Sequence, residues 1–173
     1  MGRKEGQKTG ESKFMIRCVL FDFDGTIYDT VEGITRCVAY AAEKQGIIAR
    51  PEDLRCFAGP PLVPMFMSFF GMSEANAMQA LADFRERYVP AGVFESRVFP
   101  EIPDCLSRIR SLGLRMAIAT SKPERETRRL LERSGLTEYF EFVSGGKSTG
   151  KDITKPEAVA RALRQLGAEP GET

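Results

Sequence analysis

Two carboxylates, Asp22 and Asp24, lie two residues apart at the end of an apolar run, in the string FDFDGTIYDT. At the end of a strand, side chains with this spacing point to the same side, while Phe21 and Phe23 pack elsewhere. The two negative charges repel, and a bound magnesium ion or a shared proton would offset that cost. Asp-Gly alone would indicate only a strand-to-turn junction. The whole string favours a reactive carboxylate pair.

Three further polar side chains stand just before predicted helices. The predicted strand 116–119 is followed by Thr120 and Ser121 and then by a predicted helix. A hydroxyl and unpaired amides at a helix start form an anion site, although Ser121 could equally be a simple N-cap. Lys155 precedes the last predicted helix, with Lys151 as the alternative lysine. Most lysines are solvated surface residues, and position alone does not distinguish Lys155 from them.

The chain contains no histidine, which removes Ser-His-Asp and Cys-His nucleophile pairs and His-ligated zinc. Any chemistry must therefore use carboxylate, amine, hydroxyl or thiol groups, a set that suits a hard, oxygen-ligated metal. The four cysteines are isolated among apolar neighbours without a C-x-x-C, and are predicted to be buried reduced thiols. They are Cys18, Cys37, Cys56 and Cys105.

Composition narrows the class of protein. The 173 residues fit one medium domain with a small insert, and 42% hydrophobic residues can build a core. A net charge of +1 gives no sign of a nucleic-acid partner. No apolar run approaches the roughly 18 residues that cross a membrane, and no secretory signal is readable at the start. We therefore expect a soluble, cytoplasmic protein without a membrane partner.

Hydrophobic periodicity predicts alternating strands and helices. The segment 1–14 is polar and is predicted to be a disordered tail. Strands are predicted at 15–21, 116–119 and 140–143, and helices at 30–45, 104–112, 123–134 and 156–166. Helix 104–112 is expected to turn Cys105, Ile109 and Leu112 inward. Residues 51–98 show short amphipathic stretches and no strand pattern, so this segment is predicted to be all-helical.

This alternation predicts a parallel sheet with right-handed crossovers. In such α/β sheets the ligand binds at the carboxyl ends of the strands. The predicted ends of the first two strands are where Asp22, Asp24, Thr120 and Ser121 stand. The sequence therefore predicts one site at this edge of the sheet.

FDFDGTIYDT closely resembles motif I, D-x-D-G-T, of the haloacid dehalogenase superfamily. The resemblance implies that Asp22 is a nucleophile that forms an aspartyl-phosphate, and that Asp24 acts first as general acid and then as general base. Dehalogenase members lack the second Asp, so Asp24 argues for phosphate chemistry.

The same resemblance extends to the later motifs. The strand ending in Thr120 and Ser121 is similar to motif II, which implies phosphate binding by the Thr120 hydroxyl and an adjacent amide. The context of Lys155 before an amphipathic helix resembles motif III, whose lysine balances the charge of nucleophile and phosphate. The family's cofactor is Mg²⁺, held by the carboxylate of Asp22 and the backbone carbonyl of Asp24.

The segment between motifs I and II is similar to the helical cap of the phosphoglycolate-phosphatase-like branch. The resemblance implies a Rossmann-like, flavodoxin-type core at 15–29 and 99–173, with a cap domain at 30–98. The expected function is a magnesium-dependent phosphatase acting on small phosphorylated metabolites, such as phosphoglycolate or nucleotides.

Motif IV, an apolar strand ending in acidic metal ligands, is not found after the last predicted helix. The core sheet is therefore expected to be incomplete at the C-terminus, with the first strand as an exposed edge. The nearby acids Asp152, Glu169 and Glu172 follow no apolar strand. Two alternatives remain open: a non-catalytic remnant or phosphate-binding module, and a phosphomutase that shares the same N-terminal catalytic motif.

Overall fold

The computed structural model describes residues 15–147 and 153–173. The predictions for the tail 1–14, for Lys151 and for Asp152 lie outside these residues. The strands are β1 (Cys18–Phe21), β2 (Tyr28–Asp29), β3 (Arg97–Val98), β4 (Arg115–Pro123) and β5 (Phe142–Gly146). The α-helices are α1 (Val31–Lys44), α2 (Leu62–Phe70), α3 (Glu74–Tyr88), α4 (Ile102–Ser111), α5 (Glu124–Ser134) and α6 (Lys155–Leu166).

A parallel sheet with the strand order β1-β4-β5 forms the centre of the fold. Cys18 to Phe21 of β1 pair in register with Arg115 to Ile118 of β4. The predicted α/β class with a parallel sheet is therefore confirmed. In the described part of the chain β1 has a partner on one side only, so it lies at the sheet's edge as expected.

The two faces of the sheet are covered by different helices because side chains alternate along each strand. Cys18 on β1 and the small residues Ala117 and Ala119 on β4 pack against Ala158 and Ala162 of α6. On the opposite face, Met116 and Ile118 join the larger core that includes Leu130 and Leu131 of α5. Helices thus lie on both faces, and the small side chains let α6 approach the sheet closely.

The insert between β2 and β3 consists mainly of helices α1 to α3 and a 3-10 turn at Pro51–Phe57. α1 ends before Gly46, whose φ of 76° favours glycine. The Ser73 hydroxyl caps α3 by accepting a hydrogen bond from the Asn76 amide at 3.2 Å. At the other end of the insert, the carbonyls of Val89 and Phe94 accept hydrogen bonds from arginines of α5. The insert therefore packs on the core through α5.

The prediction that residues 51–98 contain no strand is wrong at one point. Arg97 and Val98 form β3, which pairs antiparallel with Asp29 and Tyr28 of β2. Each strand has only two residues, and the Arg97–Asp29 pair is 68 positions apart in sequence. No local pattern can signal such a pairing. The ribbon brings the two ends of the insert together.

Helix α4 is rotated relative to the prediction. Its buried residue is Leu106, whereas Cys105 is exposed and Leu112 is 72% exposed. The stripe that meets the core follows Ile102, Leu106 and Ile109, a spacing that suits a helix equally well.

The cysteine prediction holds only in part. Cys18 and Cys37 are buried free thiols, but Cys56 and Cys105 are exposed. No helix in residues 15–147 or 153–173 is long and apolar enough to cross a membrane.

Candidate active site

The turn after β1 fixes the two carboxylates. The Phe23 carbonyl accepts hydrogen bonds from the amides of Ile27 and Tyr28, and the Gly25 amide donates to the Tyr28 carbonyl at 2.8 Å. Gly25 has a φ of 75°, which a side chain would disfavour. The Phe23 ring is fully buried and stacks on the Tyr28 ring with centroids 4.9 Å apart. The backbone that carries the carboxylates is thus held from both sides.

Asp22 forms an ion pair with Lys155, the lysine that the resemblance to motif III implied. Lys155 Nζ lies 2.5 Å from Asp22 Oδ2, and it also donates to the Ala119 carbonyl at 3.0 Å. The Asp22 Oδ1 atom accepts the Phe23 amide at 2.7 Å. The side chains of Asp22 and Lys155 are 40% and 44% exposed, so a ligand can reach both.

A capping box fixes the position of Lys155 at the first residue of α6. The Thr154 hydroxyl accepts from the Glu157 amide at 3.4 Å, and the Glu157 carboxylate accepts from the Thr154 amide at 2.8 Å. These two bonds define where α6 begins. Lys155 therefore projects from a helix start that is anchored by its own sequence.

Thr120 and Ser121 lie in the last part of β4, not at a helix start. β4 continues to Pro123, and α5 begins only at Glu124. The alternative that Ser121 is an N-cap is wrong, because the N-cap residue is Pro123 and no side chain caps the helix. Thr120 is 1% exposed, and its hydroxyl oxygen accepts the Lys122 amide at 3.2 Å. This bond leaves the hydroxyl proton available for a ligand oxygen.

The extension of β4 has a packing cause. Pro123 pairs with Gly146 of β5 after a register shift. A Cβ on Gly145 would lie 2.6 Å from the Lys122 carbonyl oxygen, so only glycine permits this approach. Glycines in β5 therefore allow the pairing to continue past the predicted end of the strand.

Lys122 is the site residue that the sequence analysis missed. Its Nζ lies 3.0 Å from Asp24 Oδ1 and donates a hydrogen bond to the Tyr88 hydroxyl at the end of α3. The Lys122 side chain is only 4% exposed, and that of Asp24 is 21% exposed. Burial acts to lower the pKa of Lys122, but the Asp24 carboxylate and Tyr88 outweigh it and the pKa is raised. Strand alternation gave a signal, because Lys122 stands two residues after the candidate Thr120.

The structure thus brings together two carboxylate–lysine pairs, Asp22 with Lys155 and Asp24 with Lys122. Thr120 is joined to this cluster through the Lys122 amide, whereas no hydrogen bond in the described residues links Ser121 to either aspartate. A cavity of about 470 Å³ lies elsewhere, between α1 and the following loop, and none of these residues lines it. The two pairs therefore lie outside that cavity, and Asp22 is open to solvent.

The oxygen atoms around Asp22 and Asp24 fit part of a magnesium site. The amides of the turn donate to the carbonyls of Phe23 and Tyr28, which leaves the Asp24 carbonyl available as a ligand. Within residues 15–147 and 153–173, no group of three or more Cys, Asp or Glu residues could hold a metal ion. Mg²⁺ retains several waters, but one carboxylate and one neutral carbonyl supply only part of the protein charge that holds it, so these two oxygens alone should bind it weakly.

Comparison with known proteins assigns the family. A family model described as haloacid dehalogenase-like hydrolase matches residues 19–173, and the chain belongs to this family. A phosphoglycolate phosphatase of Aquifex aeolicus is 26% identical over 156 residues, which cover 90% of this chain and 72% of the relative. The expectation of a haloacid dehalogenase-type chain of the phosphoglycolate-phosphatase-like branch is confirmed.

More similar relatives carry different names. A 5'-nucleotidase of Pseudomonas aeruginosa is 37% identical over 153 residues, covering 86% of this chain and 68% of the relative. The tyrosine-protein kinase PtkA of Mycobacterium tuberculosis is 32% identical over 168 residues, covering 96% of this chain but only 56% of PtkA. A crystal structure of a predicted phosphatase from Clostridium acetobutylicum superposes with a TM-score of 0.85 at 33% identity, covering 91% and 74% of the two chains.

Proposed function

We propose that this chain carries the catalytic residues of a magnesium-dependent phosphatase that hydrolyses small phosphate monoesters through an aspartyl-phosphate at Asp22. One observation carries the proposal: the exposed Asp22 carboxylate is oriented by the Phe23 amide and Lys155, and Asp24 follows two residues later. The printed names of the relatives, a 5'-nucleotidase and a phosphoglycolate phosphatase, support a small phosphorylated metabolite as substrate.

The first half-reaction is attack by an Asp22 oxygen on the phosphorus atom. The bond from phosphorus to the ester oxygen breaks, and Asp24 donates the proton that the leaving alcohol needs. Because Lys122 contacts Asp24 through Oδ1, the Oδ2 atom remains for this transfer. The product is an aspartyl-phosphate on Asp22, which divides one difficult displacement into two easier ones.

The second half-reaction is hydrolysis of the aspartyl-phosphate. Asp24, now ionised, removes a proton from water, the water oxygen attacks phosphorus, and the Asp22 carboxylate leaves. Inorganic phosphate departs and Asp24 again holds the proton for the next cycle. A bound magnesium ion supplies positive charge to the phosphoryl oxygens.

Binding of the phosphoryl group falls to residues on three elements. Lys155 at the start of α6 balances its charge, while the Thr120 hydroxyl and the Ser121 amide at the end of β4 donate hydrogen bonds. Exclusion of water and choice of substrate would belong to the insert, proposed as a cap domain over residues 30–98.

The decisive experiment is phosphate release from p-nitrophenyl phosphate and from a panel of alkyl phosphate monoesters, with magnesium and with a chelator. Wild type should turn over only with magnesium, and Asp22→Asn should abolish turnover. Beryllium fluoride, which mimics an aspartyl-phosphate, should bind wild type and not Asp22→Asn. Turnover of Asp22→Asn at the wild-type rate would exclude this nucleophile.

The same assay separates the alternatives. A phosphomutase would return a phosphorylated isomer of a sugar phosphate instead of inorganic phosphate. A phosphate-binding module would bind beryllium fluoride or phosphate without steady turnover.

A further inference from the structure

Lys122 is buried at a junction of three segments of the chain. Its ammonium group contacts the Asp24 carboxylate, from the turn after β1, and the Tyr88 hydroxyl, from the last residue of α3. The ammonium group also lies 5.0 Å from the centroid of the Tyr88 ring and 5.9 Å from that of Phe23. Since both lysine and tyrosine are only 7% exposed, water contributes little to this arrangement.

Tyr88 is itself fixed by packing. Its ring stacks on Phe84 of α3, with centroids 4.9 Å apart and planes 20° from parallel. Burial of the phenol raises the pKa of Tyr88, so the hydroxyl stays protonated at neutral pH and accepts a hydrogen bond from Lys122. The lysine therefore has a rigid acceptor on the insert side and a carboxylate on the core side.

We propose that Lys122, held by Tyr88, is the positioning residue that orients the Asp24 carboxyl group toward the leaving oxygen of the substrate. The inference rests on the proposed function, and it adds a role for two residues outside the phosphate-binding set. Without a partner, the carboxyl group of Asp24 can rotate about its Cβ–Cγ bond. The contact through Oδ1 fixes that torsion and leaves Oδ2 for proton transfer.

A purely structural role predicts something different. Buried ion pairs can join two parts of a fold without any effect on chemistry. In that case, variants of Lys122 or Tyr88 would lower stability and reduce turnover of all substrates alike. A positioning role predicts losses in kcat/KM that depend on the leaving group, because p-nitrophenolate departs without a proton whereas an alkoxide needs one, and the later hydrolysis step does not enter kcat/KM.

The turnover test uses Tyr88→Phe, which keeps the stacked ring and removes only the hydroxyl, together with Lys122→Met. The matched control is Tyr28→Phe, which removes another buried hydroxyl, one that donates to the Leu130 carbonyl at 2.7 Å. We expect kcat/KM for an alkyl phosphate, which reports the steps up to departure of the leaving group, to fall by about tenfold or more in Tyr88→Phe and further in Lys122→Met. For p-nitrophenyl phosphate the losses in kcat/KM should be severalfold smaller. Tyr28→Phe should keep the wild-type ratio of the two rates.

A second measurement does not depend on turnover. Urea unfolding of Asp24→Asn, Tyr88→Phe and the double variant forms a double-mutant cycle across Lys122. If Lys122 couples the two residues, the double variant loses less stability than the sum of the single losses. Additive losses would show that Lys122 does not couple Asp24 to Tyr88, and would overturn the inference even if the chain has no measurable phosphatase activity.

The outcomes distinguish this inference from the proposed function. If Asp22→Asn retains activity, the nucleophile assignment fails, whatever the Lys122 variants do. If Asp22→Asn is inactive but Lys122→Met and Tyr88→Phe lower kcat/KM equally for both substrates, the phosphatase stands and the positioning role is wrong.

Discussion

The two carboxylate–lysine pairs at the end of β1 use the same residue types in opposite environments. Asp22 and Lys155 are 40% and 44% exposed, whereas Asp24 and Lys122 are 21% and 4% exposed. An exposed pair gains little net free energy, because water competes for both charges. A buried lysine depends on its partner, because its charge has lost most of its hydration. The exposed pair is therefore suited to exchange its contacts for a ligand, and the buried pair to hold a geometry.

The largest effect expected from this comparison is on stability. Asp24→Ala leaves the buried Lys122 ammonium with Tyr88 alone, and should lower the free energy of unfolding by about 3–5 kcal/mol. Asp22→Ala leaves an exposed Lys155 that water can solvate, and should change it by about 1 kcal/mol or less. Urea unfolding of both variants measures the difference. Equal losses would show that burial does not separate the two pairs.

Lys155 is expected to contribute little to stability but much to catalysis. Lys155→Ala should lower kcat/KM by roughly a hundredfold or more, about 3 kcal/mol, because phosphate and nucleophile lose their balancing charge. Its unfolding free energy should stay close to wild type. The matched control is Lys151→Ala, which should keep activity. If Lys151→Ala is inactive and Lys155→Ala is not, Lys151 is the phosphate-binding lysine.

Thr120 offers a smaller perturbation of the same phosphate site. Thr120→Ala removes one hydrogen bond to a charged oxygen, and should cost about 1.5–3 kcal/mol of transition-state binding. We expect a raised KM and a modestly lowered kcat in steady-state assays. Thr120→Ser, which retains the hydroxyl, should recover most of the loss. Failure of serine to do so would assign the effect of alanine to packing of the buried side chain.

A third ion pair, outside the proposed catalytic residues, serves as a control for the effect of burial on stability. Glu95 in the insert accepts two hydrogen bonds from Arg87, at 2.8 and 2.9 Å, and their side chains are 24% and 26% exposed. These bonds lower the pKa of Glu95. Glu95→Gln should cost about 1 kcal/mol at pH 7 and leave turnover unchanged.

The pH dependence of this third pair follows from the lowered pKa. Glu95 contributes stability above its unfolded pKa of about 4.3, and the contribution is lost as pH falls through the lower folded value. The difference in unfolding free energy between wild type and Glu95→Gln should therefore shrink below about pH 4. A difference that stays constant from pH 7 into acid would exclude an ionic origin.

Much of the fold was readable from local pattern. The apolar run before Asp22 and the amphipathic patterns that predicted the helices are signals that each lie within a short stretch of sequence. The places where the prediction failed depend on distant partners. β3 exists because β2 lies beside it, β4 extends to Pro123 because Gly145 and Gly146 admit its backbone, and α4 is rotated because the core accepts Leu106 instead of Cys105.

By itself the sequence determined the family and the parallel sheet, and its resemblance to motif III implied that Lys155 shares a site with Asp22. Strand alternation and the spacing within motif I are local signals, and neither requires a distant side chain to be known. Only the tertiary structure decided the partner of Asp24. Lys122 is buried because α3, which is remote in sequence, ends with Tyr88 against it. Strand alternation can place Lys122 on the same side as Thr120, but burial is a property of what packs around a residue, so the sequence alone cannot show that this lysine is buried.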